Sequence, residues 1–140
     1  MQNQASPVKI EKLSHEGRGV CHVDGKVTFV DGALQSETVT LKYKKRRKQL
    51  DEAEVDSLLI SSSERVKPRC EYFGYCGGCR LQHMSESMQV NFKQNALIEL
   101  LGKEGVIFDH VIPPLASASY GYRSKARLSV RHVIKKEKVC

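Results

Sequence analysis

The sequence predicts a mainly β fold that begins with an OB-like, five-stranded antiparallel barrel. Residues 7–63 consist of short runs in which apolar and polar residues alternate between glycine-containing turns, as in half-buried strands. Residues 70–79 then hold three cysteines, and from residue 85 the apolar residues change to helical spacing. We therefore expect a barrel over 1–66, a cysteine-rich metal loop over 67–84, and one helix with an incomplete α/β piece over 85–140.

Alternating runs supply the strands of the predicted barrel. They are VKIEKL at 8–13, GRGVCHV at 17–23, KVTFV at 26–30 and TVTLKY at 38–43. The dipeptide Asp24-Gly25 predicts a hairpin turn, and residues 54–61 predict the closing strand. A helix from Gln49 to Leu59 is the local alternative, because the acidic run there has no β preference. The residues expected in the core are Val8, Ile10, Val20, Cys21, Val27, Phe29, Val39 and Leu41.

A single helix is predicted over 85–101. Ser85 is a suitable N-cap residue, and Gly102 is suited to ending the helix. An apolar stripe at helical spacing predicts contact with a core. Its members are Met88, Phe92, Ala96, Leu97, Leu100 and Leu101. After Tyr122 the residues alternate again and predict a strand, whose partner is not in the sequence, with one face formed by Ala126, Leu128 and Val130.

Composition and charge narrow the classes of function. The chain has 23 Lys and Arg against 16 Asp and Glu, a formal net charge of +7, which favours a polyanionic partner such as nucleic acid. No apolar run approaches the roughly 18 residues that cross a bilayer, and the first residues lack the apolar core of a secretion signal. We expect a cytoplasmic monomer without a membrane partner. In a reducing cytoplasm, five cysteines favour a metal site or reactive thiols over disulfides.

Two basic clusters are the candidate RNA-binding residues. The first contains Lys42, Lys44, Lys45, Arg46, Arg47 and Lys48, with Tyr43 among them. Such charge suits contacts with phosphates, and a solvated loop, partly neutralised by the acids of 51–56, is the alternative. The second cluster alternates along the last predicted strand and contains Arg123, Lys125, Arg127 and Arg131. It predicts either a basic stripe across a groove or a plain exposed strand face.

The cysteine segment indicates a metal site. Cys70, Cys76 and Cys79 form the pattern C-x5-C-G-G-C, in which the glycines allow several thiolates to converge. With His83 as the fourth ligand the site would be a Cys3His zinc site, and with a fourth cysteine it would be an iron-sulfur cluster. The spacing does not separate these two. The nearby aromatic residues could stack on unpaired bases or shield the cluster from water, and they are Tyr72, Phe73 and Tyr75.

Four stretches together resemble the bacterial RNA uracil-C5 methyltransferases that modify 23S ribosomal RNA. RVKPRCEYFGYCGGCRLQH is similar to the iron-sulfur segment of that family. IEKLSHEGRGVCHVDGKVTFVDGALQSETV is similar to its TRAM domain, a small β-barrel that binds RNA. MQVNFKQNALIELL and GYRSKARLSV, the latter opening the family's central domain, are similar too and follow in the same order. The resemblance covers practically the whole sequence.

The resemblance implies a [4Fe-4S] cluster with Cys70, Cys76 and Cys79 as three of its ligands. The family's fourth ligand is a cysteine in a Cys-Pro context, some distance past the last residue of this sequence. Cys140 stands earlier and has no proline after it, so it is a candidate substitute and does not take over that role. His83 belongs to the family's LQH signature, where we expect it to support the loop.

The resemblance also implies what this sequence does not contain. In the family a cysteine thiolate attacks C6 of a flipped uracil, a carboxylate assists proton removal, and S-adenosylmethionine supplies the methyl group. Those residues lie in a downstream Rossmann-like domain, and nothing here resembles it. We therefore expect no catalytic residue, no S-adenosylmethionine site and no activity in this chain alone. It would supply RNA binding to a methyltransferase, with a free-standing zinc-containing RNA-binding module, or an electron-transfer or iron-sensing protein, as alternatives.

Overall fold

A computed structural model describes residues 6–127, 130, 132–133 and 138–139. The chain divides into two compact units, Met1–Gln89 and Val90–Cys140. The elements are β1 (Val8–Lys9), β2 (Lys12–Leu13), β3 (Gly19–Val23), β4 (Lys26–Asp31), β5 (Thr38–Arg46), β6 (Leu50–Ile60), α1 (Glu86–Lys103), β7 (His132–Val133) and β8 (Lys138–Val139). Strands β1 to β6 form one sheet in the order β1-β5-β6-β4-β3-β2, and β7 pairs with β8. No helix in the described part of the chain is long and apolar enough to cross a membrane.

The six-stranded sheet closes because its first strand is bent. β1 pairs with β5, while β2, separated from β1 by Ile10 and Glu11, pairs with β3 at the other end of the sheet. The Ile10 N–H donates to Glu37 O at 2.8 Å, and the Glu11 N–H donates to Val20 O at 2.9 Å. Counted as one bent strand, β1 and β2 make the sheet a five-stranded barrel, which confirms the predicted mainly β barrel. The prediction that all strand pairs are antiparallel is wrong, because β4 and β6 pair in parallel.

The predicted hairpin forms at Asp24-Gly25. Asp24 has a φ of 50° and Gly25 a φ of 74°, the left-handed conformations that a two-residue type I′ turn requires. The turn sets the antiparallel register of β3 and β4, in which Val23 lies opposite Lys26. A short sequence signal therefore fixes the alignment of two barrel strands.

The acidic run of residues 51–56 forms a strand, and the alternative helix is wrong. β6 begins at Leu50, earlier than the predicted closing strand, and pairs with both β5 and β4. Asp51 Oδ1 accepts hydrogen bonds from Lys26 Nζ at 2.8 Å and from the Arg47 N–H at 3.0 Å. The bond from Lys26 holds the pKa of Asp51 below its ordinary value. Pairing on both sides and a partner for the acid outweigh the low β preference of the run.

The barrel core contains five of the expected residues, which are Ile10, Val20, Cys21, Val39 and Leu41. The prediction for β4 is wrong by one residue, because Thr28 and Val30 are buried while Val27 and Phe29 lie on the opposite face. The run KVTFVD has apolar residues on both faces, so alternation alone does not choose between them. Phe29 lies instead below Arg18, whose Cζ is 5.3 Å from the ring centroid. Val8 is only partly buried against the core.

Helix α1 begins as predicted and ends later than predicted. Ser85 Oγ accepts the Met88 N–H at 3.2 Å, which confirms Ser85 as the N-cap. Gly102 lies inside the helix, so the predicted terminator is wrong. Gly105 has a φ of 71°, and its N–H donates to Gly102 O at 3.1 Å. The Val106 N–H donates to Leu101 O at 2.9 Å, which completes a Schellman motif around the left-handed glycine.

The apolar stripe of α1 does not contact a core, contrary to the prediction. No described residue of α1 is buried, and Leu97 and Leu100 are 57% and 44% exposed. Leu97 and Leu101 line an open apolar groove of about 610 Å³ together with side chains of 106–115. The prediction assumed a covering layer that the described residues of this unit do not supply.

The strand predicted after Tyr122 is absent from the described residues 122–127. A strand requires a hydrogen-bonded partner strand, and residues 122–127, which include Ala126, are not part of any described strand pair. Leu128, Arg131 and Cys140 lie outside the described residues. The two-residue strands β7 and β8 pair with each other further along the chain.

Candidate nucleic-acid interface and metal segment

The cysteine segment is a loop whose two ends are fastened to each other. The Val66 N–H donates to His83 O at 3.0 Å, and the Ser85 N–H donates to Glu64 O at 2.8 Å. Residues 67–82, called the cysteine loop below, therefore leave and return at one place. Both ends belong to the same compact unit as the barrel.

A buried ion pair joins the base of the cysteine loop to the barrel. Glu37 is fully buried, and its carboxylate accepts hydrogen bonds from Arg65 Nε at 2.6 Å and from Arg65 Nη2 at 2.8 Å. The N–H groups of Leu34 and Ser62 donate to the same carboxylate at 2.8 Å and 3.2 Å. Burial raises the pKa of Glu37, but the bonds from Arg65 and these N–H groups outweigh it and hold the pKa below its ordinary value. Glu37 is therefore ionised at neutral pH.

Apolar contacts add to this attachment. Met84, at the returning end of the loop, is 1% exposed. Leu81 packs against Gly17, which has a φ of 77° and leaves no space for a Cβ atom. The 16–18 turn of the barrel and the returning end of the cysteine loop therefore pack closely.

His83 lies beneath the cysteine loop as a neutral side chain. It is 2% exposed, and its ring centroid is 5.4 Å from that of Phe73. Burial, assisted by the charge of Arg65, lowers the pKa of His83 to about 4. Neither ring nitrogen has a hydrogen-bond partner among the described residues. A neutral imidazole suits both the supporting role and the role of a zinc ligand.

The three cysteines of the loop are exposed, whereas Cys21 is buried in the barrel. Cys76 and Cys79 line one groove between the loop and the barrel, and Cys70 lies outside it. The Gly78 N–H donates to Cys76 Sγ at 3.4 Å. Within the described ranges, no three His, Cys, Asp or Glu side chains are grouped so that they could hold a metal ion. The donor chemistry of three nearby thiols nevertheless fits a thiophilic metal such as zinc or iron.

Ion pairs divide the first basic cluster into two groups. Lys42 Nζ lies 3.1 Å from Glu54 Oε1, and Lys44 Nζ lies 2.9 Å from Glu54 Oε2. Arg47 Nη2 lies 3.4 Å from Glu52 Oε1. The hydrogen bond with Glu54 raises the pKa of Lys44. We call these three cations the paired basic group: Lys42, Lys44 and Arg47.

The other cations of the cluster, Lys45, Arg46 and Lys48, form no ion pair with any residue that the structure describes. All three side chains are exposed, at the end of β5 and in the turn that leads to β6. The Arg46 guanidinium carbon lies 4.0 Å from the centroid of the Tyr43 ring, a cation–π contact that leaves its N–H groups available. We call these three residues the unpaired basic group.

The second basic cluster is exposed but does not lie on a strand. Arg123, Lys125 and Arg127 are exposed, and the Arg123 guanidinium carbon lies 5.6 Å from the Tyr122 ring centroid. Without a strand at 122–127, the alternation of the sequence does not place these residues on one face. The structure therefore provides no continuous basic stripe from these three residues.

The sequence analysis missed the residues that attach the loop to the barrel. Glu37 and Arg65 stand 28 positions apart, and no periodic pattern relates them. Arg18 and Arg80, which line the same groove as Cys76, were also not singled out. No local signal marks any of these residues, because each acquires its role from long-range packing.

Comparisons with known proteins identify the barrel and the relatives of the chain. Residues 1–55 match the TRAM domain family. The chain is 46% identical over 132 residues to the 23S rRNA (uracil(1939)-C(5))-methyltransferase RlmD of Hahella chejuensis, a match that covers 94% of this chain and 30% of that protein. The protein of the same name from Nitrosococcus oceani is 45% identical over 141 residues, which covers 99% of this chain and 32% of the relative.

A solved structure also matches part of the chain. The tRNA (uracil-54, C5)-methyltransferase of Pyrococcus abyssi, in complex with S-adenosyl-L-homocysteine, has 27% identity and a TM-score of 0.49, and the match covers 69% of this chain and 21% of that chain. The sequence comparisons confirm the resemblance seen in the motifs. Residues 1–55 are therefore similar to the TRAM domain family. Almost the whole chain is similar to a part of the 23S rRNA (uracil-C5)-methyltransferases that makes up about 30% of the length of those relatives.

Proposed function

We propose that the chain is the RNA-binding part of an S-adenosylmethionine-dependent uracil-C5 methyltransferase, and that its target is 23S ribosomal RNA in the cytoplasm. The relatives are named for this activity, and the chain spans about 30% of their length. Catalysis and S-adenosylmethionine binding belong, in this proposal, to a domain that the described residues do not form. The observation that carries the proposal is the unpaired basic group at one end of the TRAM barrel.

The unpaired basic group has the properties that phosphate contacts require. Its three side chains are exposed and close together in the sequence, and none forms an ion pair with a carboxylate of the described residues. Binding them to phosphates releases counterions, which is the main source of affinity in non-specific nucleic-acid complexes. Tyr43, below Arg46, adds an aromatic surface beside these charges.

The proposal includes a [4Fe-4S] cluster held by the exposed thiols of Cys70, Cys76 and Cys79. Three thiols within ten residues supply the soft donors that such a cluster takes. Cys140, the candidate substitute for a fourth ligand, lies outside the described residues. Zinc with His83 as the fourth ligand remains the competing assignment. In both cases the metal would order the cysteine loop above the barrel.

Two triple variants with the same change of charge test the RNA-binding proposal. Replacing the unpaired basic group (Lys45→Ala, Arg46→Ala and Lys48→Ala) should weaken binding of a fluorescent single-stranded 23S RNA fragment by at least about tenfold, measured by anisotropy. The matched control replaces the paired basic group (Lys42→Ala, Lys44→Ala and Arg47→Ala), and we expect a smaller loss.

Each variant loses two lysines and one arginine, so long-range electrostatic attraction falls by the same amount in both. A difference between them therefore reports direct contact with phosphates. Equal losses of affinity in the two variants would mean that RNA binding depends only on the net charge of the chain. That outcome would refute the assignment of the unpaired basic group.

A further inference from the structure

A groove of about 370 Å³ separates the barrel from the cysteine loop. Its barrel wall includes Arg18, Asp31 and Lys44, and its loop wall includes Phe73, Tyr75 and Arg80. All of these residues belong to the compact unit Met1–Gln89. The volume lies at the low end of the range for small-molecule sites, and it suits a single nucleotide.

Tyr75 is the most exposed aromatic residue of the groove wall. It is 91% exposed, whereas Tyr72, in the same loop but outside the groove, is 62% exposed. Gly74, with a φ of 91°, reverses the backbone before Tyr75, and the Tyr75 N–H donates to Tyr72 O at 3.0 Å. This backbone turn places an exposed aromatic side chain at the edge of the groove. Aromatic rings so placed are the usual stacking surfaces for unpaired bases.

The charges of the groove favour a base over a phosphate. Arg18 Nε lies 2.8 Å from Asp31 Oδ1, in an ion pair without hydrogen-bond geometry, and Lys44 Nζ lies 3.2 Å from Asp31 Oδ2. Arg80 Nη1 lies 3.1 Å from Glu16 Oε2. Each cation of the groove thus has a carboxylate partner, so the groove is not an open site for a phosphate group. A phosphate would have to compete with these carboxylates for the cations, whereas an uncharged base would not.

We infer that this groove receives one unpaired RNA base, which stacks on Tyr75. The inference rests on the proposed RNA-binding function and assigns it a second contact, beside the unpaired basic group. In this arrangement the phosphates of the RNA contact the unpaired basic group, and one base enters the groove next to Cys76 and Cys79. The cysteine loop thus forms one wall of a base-binding site.

The test compares two oligomers of equal charge, a single-stranded 12-nucleotide RNA and an abasic ribose-phosphate oligomer of the same length. Each is titrated by anisotropy with the anaerobically purified 140-residue chain. Wild type should bind the RNA about tenfold more tightly than the abasic oligomer. Tyr75→Ala should remove most of this preference and leave binding of the abasic oligomer unchanged, while Tyr75→Phe should retain the preference. Tyr72→Ala, the matched control, should behave as wild type.

The outcomes separate this inference from the proposed function. If wild type binds neither oligomer at low salt, both are wrong. If wild type binds RNA but Tyr75→Ala keeps the full preference for bases, the groove is not the base site. An equal effect of Tyr72→Ala would likewise overturn the inference, because the loss would then belong to the loop as a whole.

Discussion

Replacing Glu37 by glutamine will lower the free energy of unfolding by about 3 kcal/mol at neutral pH. The carboxylate of Glu37 accepts hydrogen bonds from Arg65, Leu34 and Ser62 while fully buried. Glutamine offers one acceptor oxygen, and its amide group would face donors, so the Arg65 charge would lose its partner at the base of the cysteine loop. Urea unfolding followed by circular dichroism measures the difference.

The exposed pair of Glu99 and Lys103 provides the control for this prediction. Their side chains are 60% and 56% exposed and lie 3.1 Å apart, so Glu99→Gln should cost about 0.5 kcal/mol or less. A similarly small cost for Glu37→Gln would contradict the assigned role of the buried pair.

The same prediction has a pH dependence with a definite sign. The pKa of Glu37 is lower in the folded chain than in the unfolded chain, so the unfolded state takes up its proton at higher pH. The contribution of Glu37 is complete above the unfolded pKa and is lost as the pH falls through the folded pKa. The stability curves of wild type and Glu37→Gln should therefore converge as the pH falls below the ordinary pKa of a glutamate.

Replacing Cys76 by serine will remove nearly all metal from the anaerobically purified chain. A serine hydroxyl is protonated at neutral pH and is a poor ligand for iron in place of a thiolate. Iron and acid-labile sulfide are measured per chain, together with the absorption spectrum. We expect both in wild type and neither in Cys76→Ser.

Cys21→Ala is the matched control for the metal prediction, because it removes a thiol outside the cysteine loop. Burial raises the pKa of Cys21 to about 11, so that thiol stays protonated and does not bind metal. This variant should retain the metal of wild type. One zinc per chain without sulfide, lost again in His83→Ala, would overturn the iron-sulfur proposal in favour of the Cys3His site. Metal content unaffected by Cys76→Ser would refute a metal role for this thiol.

Local signals predicted the barrel where each strand has one apolar face and a marked turn. The hairpin at Asp24-Gly25 and the N-cap at Ser85 follow from two or three residues each. The sequence does not show which face of β4 is buried, because Val27 and Thr28 lie on opposite faces and each face has residues that can be buried. The predicted closing strand begins at residue 54, whereas β6 begins at Leu50. The difference arises because the pairing of β6 with strands on both sides is a long-range property. Periodicity therefore fails where both faces of an element are alike or where tertiary pairing decides.

The candidate site was predictable as a set of residue types but not as a geometry. The basic cluster and the cysteines stand out in the sequence, yet only the positions of Glu52 and Glu54 on β6 show which cations are paired. In the second cluster the described residues Arg123, Lys125 and Arg127 lack the strand that would align them. The attachment through Glu37 and Arg65 joins segments that no local pattern connects.

The central claim is that the chain binds RNA through direct phosphate contacts, and its salt dependence tests this most directly. The affinity of wild type for a single-stranded 23S RNA fragment is measured at several salt concentrations, and log Kobs is plotted against log salt. Three contacts from the unpaired basic group predict a straight line with a slope of about −2. A slope near zero, or no binding at low salt, would contradict the account.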